Sequence, residues 1–207
     1  MNIVDIGCGL GKDEGFFFVK TYRKFLQGSN VYLIDASQDS LDASHKNYEK
    51  CFDKEEGINF HFLNIAITDD PNVTSVPFFK SQQEPTCGLN SLSPNHLKSH
   101  GRGDALEEVH IEALTINALF DKLGLVQIDR LFVDTEGWDG KILLDLNLDK
   151  FFVPSIHFER LHIDGPFEGI EKKGAIATQL LDKFKKYQYA IIFHREWEMI
   201  ASAQPWY

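Results

Sequence analysis

Ile3-Val4-Asp5-Ile6-Gly7-Cys8-Gly9-Leu10-Gly11 is the stretch on which the fold turns. A short apolar run of strand character ends in three glycines at alternate positions. A helical pattern begins near residue 13, with Phe16, Val19, Tyr22 and Phe25 or Leu26 close to helical spacing. A glycine turn between a strand and a helix is where a nucleotide can meet the backbone, because glycine permits positive φ and puts no Cβ in the way. The spacing here is G-x-G-x-G. The sixth position of the dinucleotide fingerprint G-x-G-x-x-G is Lys12, which weakens a nicotinamide dinucleotide reading. Asp35, at the end of the next apolar run Val31-Tyr32-Leu33-Ile34, offers a carboxylate to both ribose hydroxyls and would repel a 2′-phosphate. Turn and acid together suit an adenosine ligand without that phosphate.

Outward from this unit the alternation continues. Helical patterns are expected over 41–51, 117–123, from about Trp138, and over 175–187; strands over 60–63, 109–116, 131–133, 155–158, 189–193 and 197–201. Such βαβα order predicts an α/β fold, a mainly parallel sheet with helices on both faces. Residues 70–103 break the pattern. They carry Pro71, Pro77, Pro85 and Pro94 without a sustained period, so a long connection is expected there, serving as a lid or substrate loop. From Pro85 to Gly103 the segment has no acidic residue but contains His96, Lys98, His100 and Arg102.

At 207 residues the chain is read as one domain, 1–207. Its 43% hydrophobic and 25% charged residues support a buried core without staples. A net charge of −10 and a pI near 5.2 exclude broad neutralisation of phosphates, so no duplex nucleic acid is expected as partner. Cys8, Cys51 and Cys87 form neither a disulfide framework nor a zinc knuckle. No apolar run is long enough to span a membrane, and residues 1–6 carry no basic leader, which together lead us to expect a cytoplasmic enzyme.

Asp5 through Gly11 with Asp35 resembles the first two motifs of class I S-adenosylmethionine-dependent methyltransferases. Asn64-Ile65-Ala66-Ile67-Thr68-Asp69, Cys87-Gly88-Leu89-Asn90-Ser91-Leu92, Leu114-Thr115-Ile116 and, above all, Ile128-Asp129-Arg130-Leu131-Phe132-Val133-Asp134-Thr135-Glu136-Gly137 resemble, in order, blocks of the FkbM methyltransferase family. Asp35 stands where that family more often has Glu, and Cys8-Gly9 where it more often has Asn or Ala. The resemblance implies a Rossmann-like class I methyltransferase fold with a mainly parallel seven-stranded sheet. It implies S-adenosylmethionine as cofactor, held by Asp5, Gly7, Cys8, Gly9, Gly11, Asp35, Ala36, Asn64, Ile65, Ala66 and Asp134. It further implies O-methylation of a sugar hydroxyl of a glycan, with 6-deoxyhexoses such as rhamnose or fucose among the acceptors; a polyketide or other small-molecule hydroxyl is the alternative.

Ligands of open α/β sheets bind beyond the carboxyl ends of the strands. Asp134, Glu136, Glu159 and His162 follow two adjacent strand segments and are the candidates for removing the acceptor's proton, a role worth roughly 10²–10⁴-fold in rate. Ser91, Trp138 and Arg160 are the candidates for holding the acceptor, with Phe167, Trp197 and Trp206 as further aromatic surfaces. Asp134 and Glu159 could also share a Mg2+ or Mn2+ ion that acidifies the acceptor oxygen. Two other classes compete. A silent adenosine-binding module would need no carboxylate cluster. An NAD-dependent reductase would need a donor pair such as Tyr-x-x-x-Lys, but Tyr22 and Tyr48 are followed four residues on by Leu26 and Phe52. Oligomeric state is not legible.

Overall fold

A computed structural model describes residues 1–193 and 198–203. Its main sheet has seven strands: β1 Asn2–Ile6, β2 Asn30–Asp35, β3 Asn59–Asn64, β7 Arg130–Val133, β8 Ser155–Glu159, β9 Tyr189–Phe193 and β10 Glu198–Ala203. They lie in the order β3-β2-β1-β7-β8-β10-β9. The first five are parallel; β10 runs antiparallel to both β8 and β9. This is the Rossmann-like α/β arrangement expected. The chain moves outward from β1 through β2 to β3, then returns to β7 on the other side of β1, so the carboxyl end of β1 is the switch point at which such sheets open a ligand crevice.

Alternation along the strands divides the core. Val4, Ile6, Tyr32, Ile34, Leu131 and Val133 face one layer, where they pack with α4 Ile116–Lys122, α5 Asp139–Asp145 and α6 Ala175–Lys186. Ile3, Val31, Leu33 and Phe132 face the other, against α1 Glu14–Tyr22 and α2 Gln38–Cys51, through Phe16, Val19, Leu41 and Tyr48. Both faces are covered, as a parallel sheet requires. No helix among the described residues is long and apolar enough to cross a membrane. The three cysteines are free. Trp206, and Trp197 at the start of the last expected strand, lie outside the described residues.

Residues 70–103 are not the continuous loop expected from their prolines. They contain β5 Ser75–Ser81 and the short helix α3 Pro94–Ser99, and β5 joins β4 Ala66–Thr68 and β6 Leu106–Thr115 in a second sheet of order β4-β6-β5. Pro77 misled the reading because it sits within β5. That strand lies at an edge of this small sheet, with β6 as its neighbouring strand, and an edge tolerates a residue that lacks an N–H. The chain after β5 folds back on it, with Ser91 and Phe79 exchanging backbone hydrogen bonds of 2.9 and 3.2 Å. Phe78, Cys87, His96 and Leu97 are buried, so the segment is packed structure that feeds residues into the crevice.

Helix α5 must hold the strand-to-helix turn after β7 in place, and its own end is secured from α6. The Lys183 ammonium donates to the carbonyls of Leu143 and Leu144 at 2.8 Å each, and also to that of Leu146. These are carbonyls that the end of a helix leaves without partners. Replacing Lys183 by Met, which keeps the apolar stem, should cost about 1–3 kcal/mol, measured as a lower urea midpoint; an unchanged midpoint would deny the cap its role.

Candidate active site

Two close approaches shape the crevice. The Gly7 N–H donates to the Ile34 carbonyl at 2.8 Å and the Asp134 N–H to the Ile6 carbonyl at 2.9 Å, which ties the turns after β1, β2 and β7 together. A Cβ on Gly7, whose φ is +82°, would lie 1.7 Å from the Asp134 carbonyl oxygen. No other residue fits. Gly9 differs, because a Cβ there would meet nothing nearer than 4.0 Å, so its free side faces open space and leaves the backbone approachable.

Above this turn lies a concave cleft, partly open to solvent, with a free volume of about 70 Å³. Of the expected cofactor residues, Gly7, Gly9, Asp35, Ala36, Ile65, Ala66 and Asp134 line it. Cys8 does not; it is buried in the core beneath. Gly11 does not line it either, since its position is set by packing on Ser44 and Tyr48 of α2. Asn64 acts from behind, donating to the carbonyls of Asp35 and Ala36 at 3.0 Å each. The Asp35 carboxylate accepts the Gly9 N–H at 2.8 Å and the Ser37 N–H at 2.7 Å. Each oxygen retains a lone pair for a ligand hydroxyl. Phe78, Cys87, Gly88, Asn90 and Leu92 complete the wall. Of these, Phe78 escaped sequence reading because its strand was hidden by prolines.

A smaller cavity of about 30 Å³ adjoins the first, and Asp134 lines both. Its lining includes Asp5, Asp13, Glu14, Asp134, Glu159 and Glu198 but no Lys or Arg among the described residues. Asp134 is exposed where it borders the two cavities, but protein atoms crowd around it, and that desolvation followed by repulsion from Glu136 pushes its carboxyl well up. Burial and then Asp13 do the same to Asp5, whose Oδ2 is buried without a hydrogen-bond partner. Burial raises Asp13 to about 7, although it caps α1 by accepting the Phe16 N–H at 2.8 Å. Glu159 rises to about 10, from burial first and Asp134 second. Burial also lifts Asp35 to about 6. Sequence reading missed Asp13, Glu14 and Glu198, whose convergence depends on two elements far apart in the chain, the start of α1 and β10.

Glu136 and Gly137 both adopt left-handed backbone, with φ of +54° and +98°, a strained pairing of the kind that clusters at functional sites. The Glu136 carbonyl accepts the Ser91 hydroxyl at 2.9 Å, and its Oε2 lies 2.7 Å from Nε2 of the buried His96. Ser91 is thus a brace for Glu136 rather than a group open to an acceptor. Trp138, the N-cap of α5, makes no side-chain capping bond; Asp139, the first residue of the helix, accepts the Thr135 N–H at 3.2 Å and its hydroxyl at 3.0 Å and so ties the turn to the helix. His162 is buried, with Nδ1 accepting the Phe167 N–H at 2.9 Å and Nε2 3.5 Å from Glu159. Burial, then His96, lowers it to about 4. Arg160 pairs with Glu171 and lines neither cavity. Trp138 packs against the core, with the Lys141 ammonium 3.5 Å from its ring centroid. Asp134 and Glu159, the oxygen pair expected for Mg2+ or Mn2+, both line the smaller cavity. Among the described residues, the groups of three within metal-sharing distance are Glu136, Glu159 and His162, and His96, His100 and His162.

Carboxyls raised by folding set the sign of the pH dependence. Each favours its protonated form in the folded state, so its stabilisation is complete below about pH 4 and is lost as pH rises through 6 for Asp35 and 7 for Asp13. The ligand-free protein should therefore melt higher at pH 5 than at pH 8 in scanning calorimetry, and the reverse order would refute this electrostatic picture.

No curated protein matches this chain. A family model described as the methyltransferase FkbM domain matches residues 5–191, which takes in the glycine turn, the packed 75–103 segment and the Asp134–Gly137 turn. The chain belongs to the FkbM methyltransferase family.

Proposed function

We propose that this protein is an S-adenosylmethionine-dependent O-methyltransferase acting on a sugar hydroxyl of a glycan. The observation that carries the cofactor assignment is the acid-lined cavity joined through Asp134 to the cleft above the glycine turn. The pyrophosphate of NAD would bring negative charge to carboxylates that already repel one another. A sulfonium cofactor brings positive charge to them. Once bound, that cofactor supplies a methyl group already activated by its positive charge.

The chain's own residues then have three tasks. Asp35 holds the ribose, and Gly9 exposes backbone to the nucleoside. Asp134, on the boundary between the cavities, balances positive charge. Glu136 takes the acceptor's proton. Burial keeps the Glu159 carboxyl protonated at neutral pH, so it cannot serve as the base, and His162, with Nδ1 occupied by the Phe167 N–H, presents a protonated Nε2. Phe167, 52% exposed and 4.6 Å from the His100 ring, offers an aromatic face beside the histidines that adjoin Glu136. A face of this kind suits the apolar side of a 6-deoxyhexose such as rhamnose or fucose.

Calorimetric titration should give binding of S-adenosylmethionine and S-adenosylhomocysteine but not NAD, with more protons released by the sulfonium than by the uncharged thioether; NAD binding alone would sink the proposal. In a methyl-transfer screen on rhamnosides and fucosides, Glu136→Gln should lose roughly 10²–10⁴-fold in kcat with cofactor affinity nearly intact. Lost affinity would instead place Glu136 in cofactor binding.

A further inference from the structure

Three histidines meet beside Glu136. His96 and His100 are four residues apart, on α3 and at its C-cap, and His162 comes from the turn after β8. The His96 ring centroid lies 4.6 Å from that of His100 and 4.7 Å from that of His162, and one ligand atom of each ring falls within 4.8 Å of the others. His96 is 1% exposed, and its Nδ1 has no hydrogen-bond partner; the buried Nε2 of His100 has none either. Buried polar atoms without partners are uncommon and call for an explanation. One water can donate to two of them, whereas three imidazole rings converging from two segments suit a cation. At its other nitrogen His96 has a carboxylate close by, Glu136 at 2.7 Å though not aligned as a hydrogen bond, the kind of neighbour that orients metal-bound histidines.

We propose that His96, His100 and His162 bind one divalent transition ion of the kind that prefers imidazole nitrogen, Zn2+ foremost, and that the ion clamps α3 to the turn after β8. Tetrahedral Zn2+ would draw the three nitrogens to about 3.3 Å apart, a modest contraction from the present spacing. His162 can join only if its proton moves from Nε2 to Nδ1, which breaks the bond from the Phe167 N–H. Ion capture should therefore release that amide while tightening α3. This site needs neither the cofactor nor the acceptor, so it stands or falls independently of the methyl-transfer proposal.

The test uses the full chain, freed of metal with a chelator and titrated with Zn2+, Co2+ and Mg2+ alone. Expected are one Zn2+ or Co2+ per chain, ligand-field bands with Co2+, and no comparable uptake of Mg2+. His100→Ala, at a partly exposed position that folding tolerates, should weaken Zn2+ binding at least tenfold, whereas His110→Ala, on exposed β6, should leave it unchanged. Hydrogen exchange should show Phe167 less protected with Zn2+ bound. Absent Zn2+ uptake, uptake insensitive to His100→Ala, or equal uptake of Mg2+, which favours the oxygen-rich Glu136 and Glu159 instead, would overturn the proposal.

Discussion

The contact of Gly7 with the carbonyl of Asp134 is the constraint on which the site depends. Strands β1 and β7 are hydrogen-bonded neighbours, and both end at the same edge of the sheet. Because position 7 has no side chain, the turn after β1 can press against the turn after β7 with 1.7 Å between a would-be Cβ and the Asp134 oxygen. Two short motifs more than a hundred residues apart in sequence thereby share one wall. The nucleoside cleft and the acid-lined cavity meet at Asp134 as a result.

That juxtaposition has an electrostatic cost which the ligand-free protein meets by holding protons. Carboxyls on β1, on the cap of α1, after β7 and at the end of β8 face one small cavity without a Lys or Arg among the described residues to offset them. Desolvation raises them, and each raises the next. A bound cation reverses both effects, so affinity for positive charge and loss of protons become the same event. The sequence's overall −10 charge conveys little of this, because what matters is the convergence of a few acids on one enclosed space.

Much of the sheet was legible because parallel strands buried on both faces write themselves as short apolar runs, as at Ile3–Ile6 and Val31–Ile34. Asp35 and the glycines were legible for a related reason: their roles follow from position at a strand end. The 75–81 strand was not, since Pro77 and the surrounding polar residues disguise an edge strand whose partner, β6, lies well further along the chain. With that strand hidden, Phe78 and the placement of His96 against Glu136 were also out of reach. Arg160 and Trp138 were misplaced because spacing brings a residue near a sheet edge but does not say which way its side chain turns. Glu171 and the core, respectively, claimed them.

The most direct test of the central claim is a ¹³C NMR titration of the Glu159 side-chain carboxyl in the ligand-free protein. If the acids crowd as described, Glu159 stays protonated through neutral pH and titrates at about 10. A midpoint in the ordinary range of glutamate, about 4.3, would mean that these carboxyls do not share an enclosed cavity, and the account of the site would fail with it.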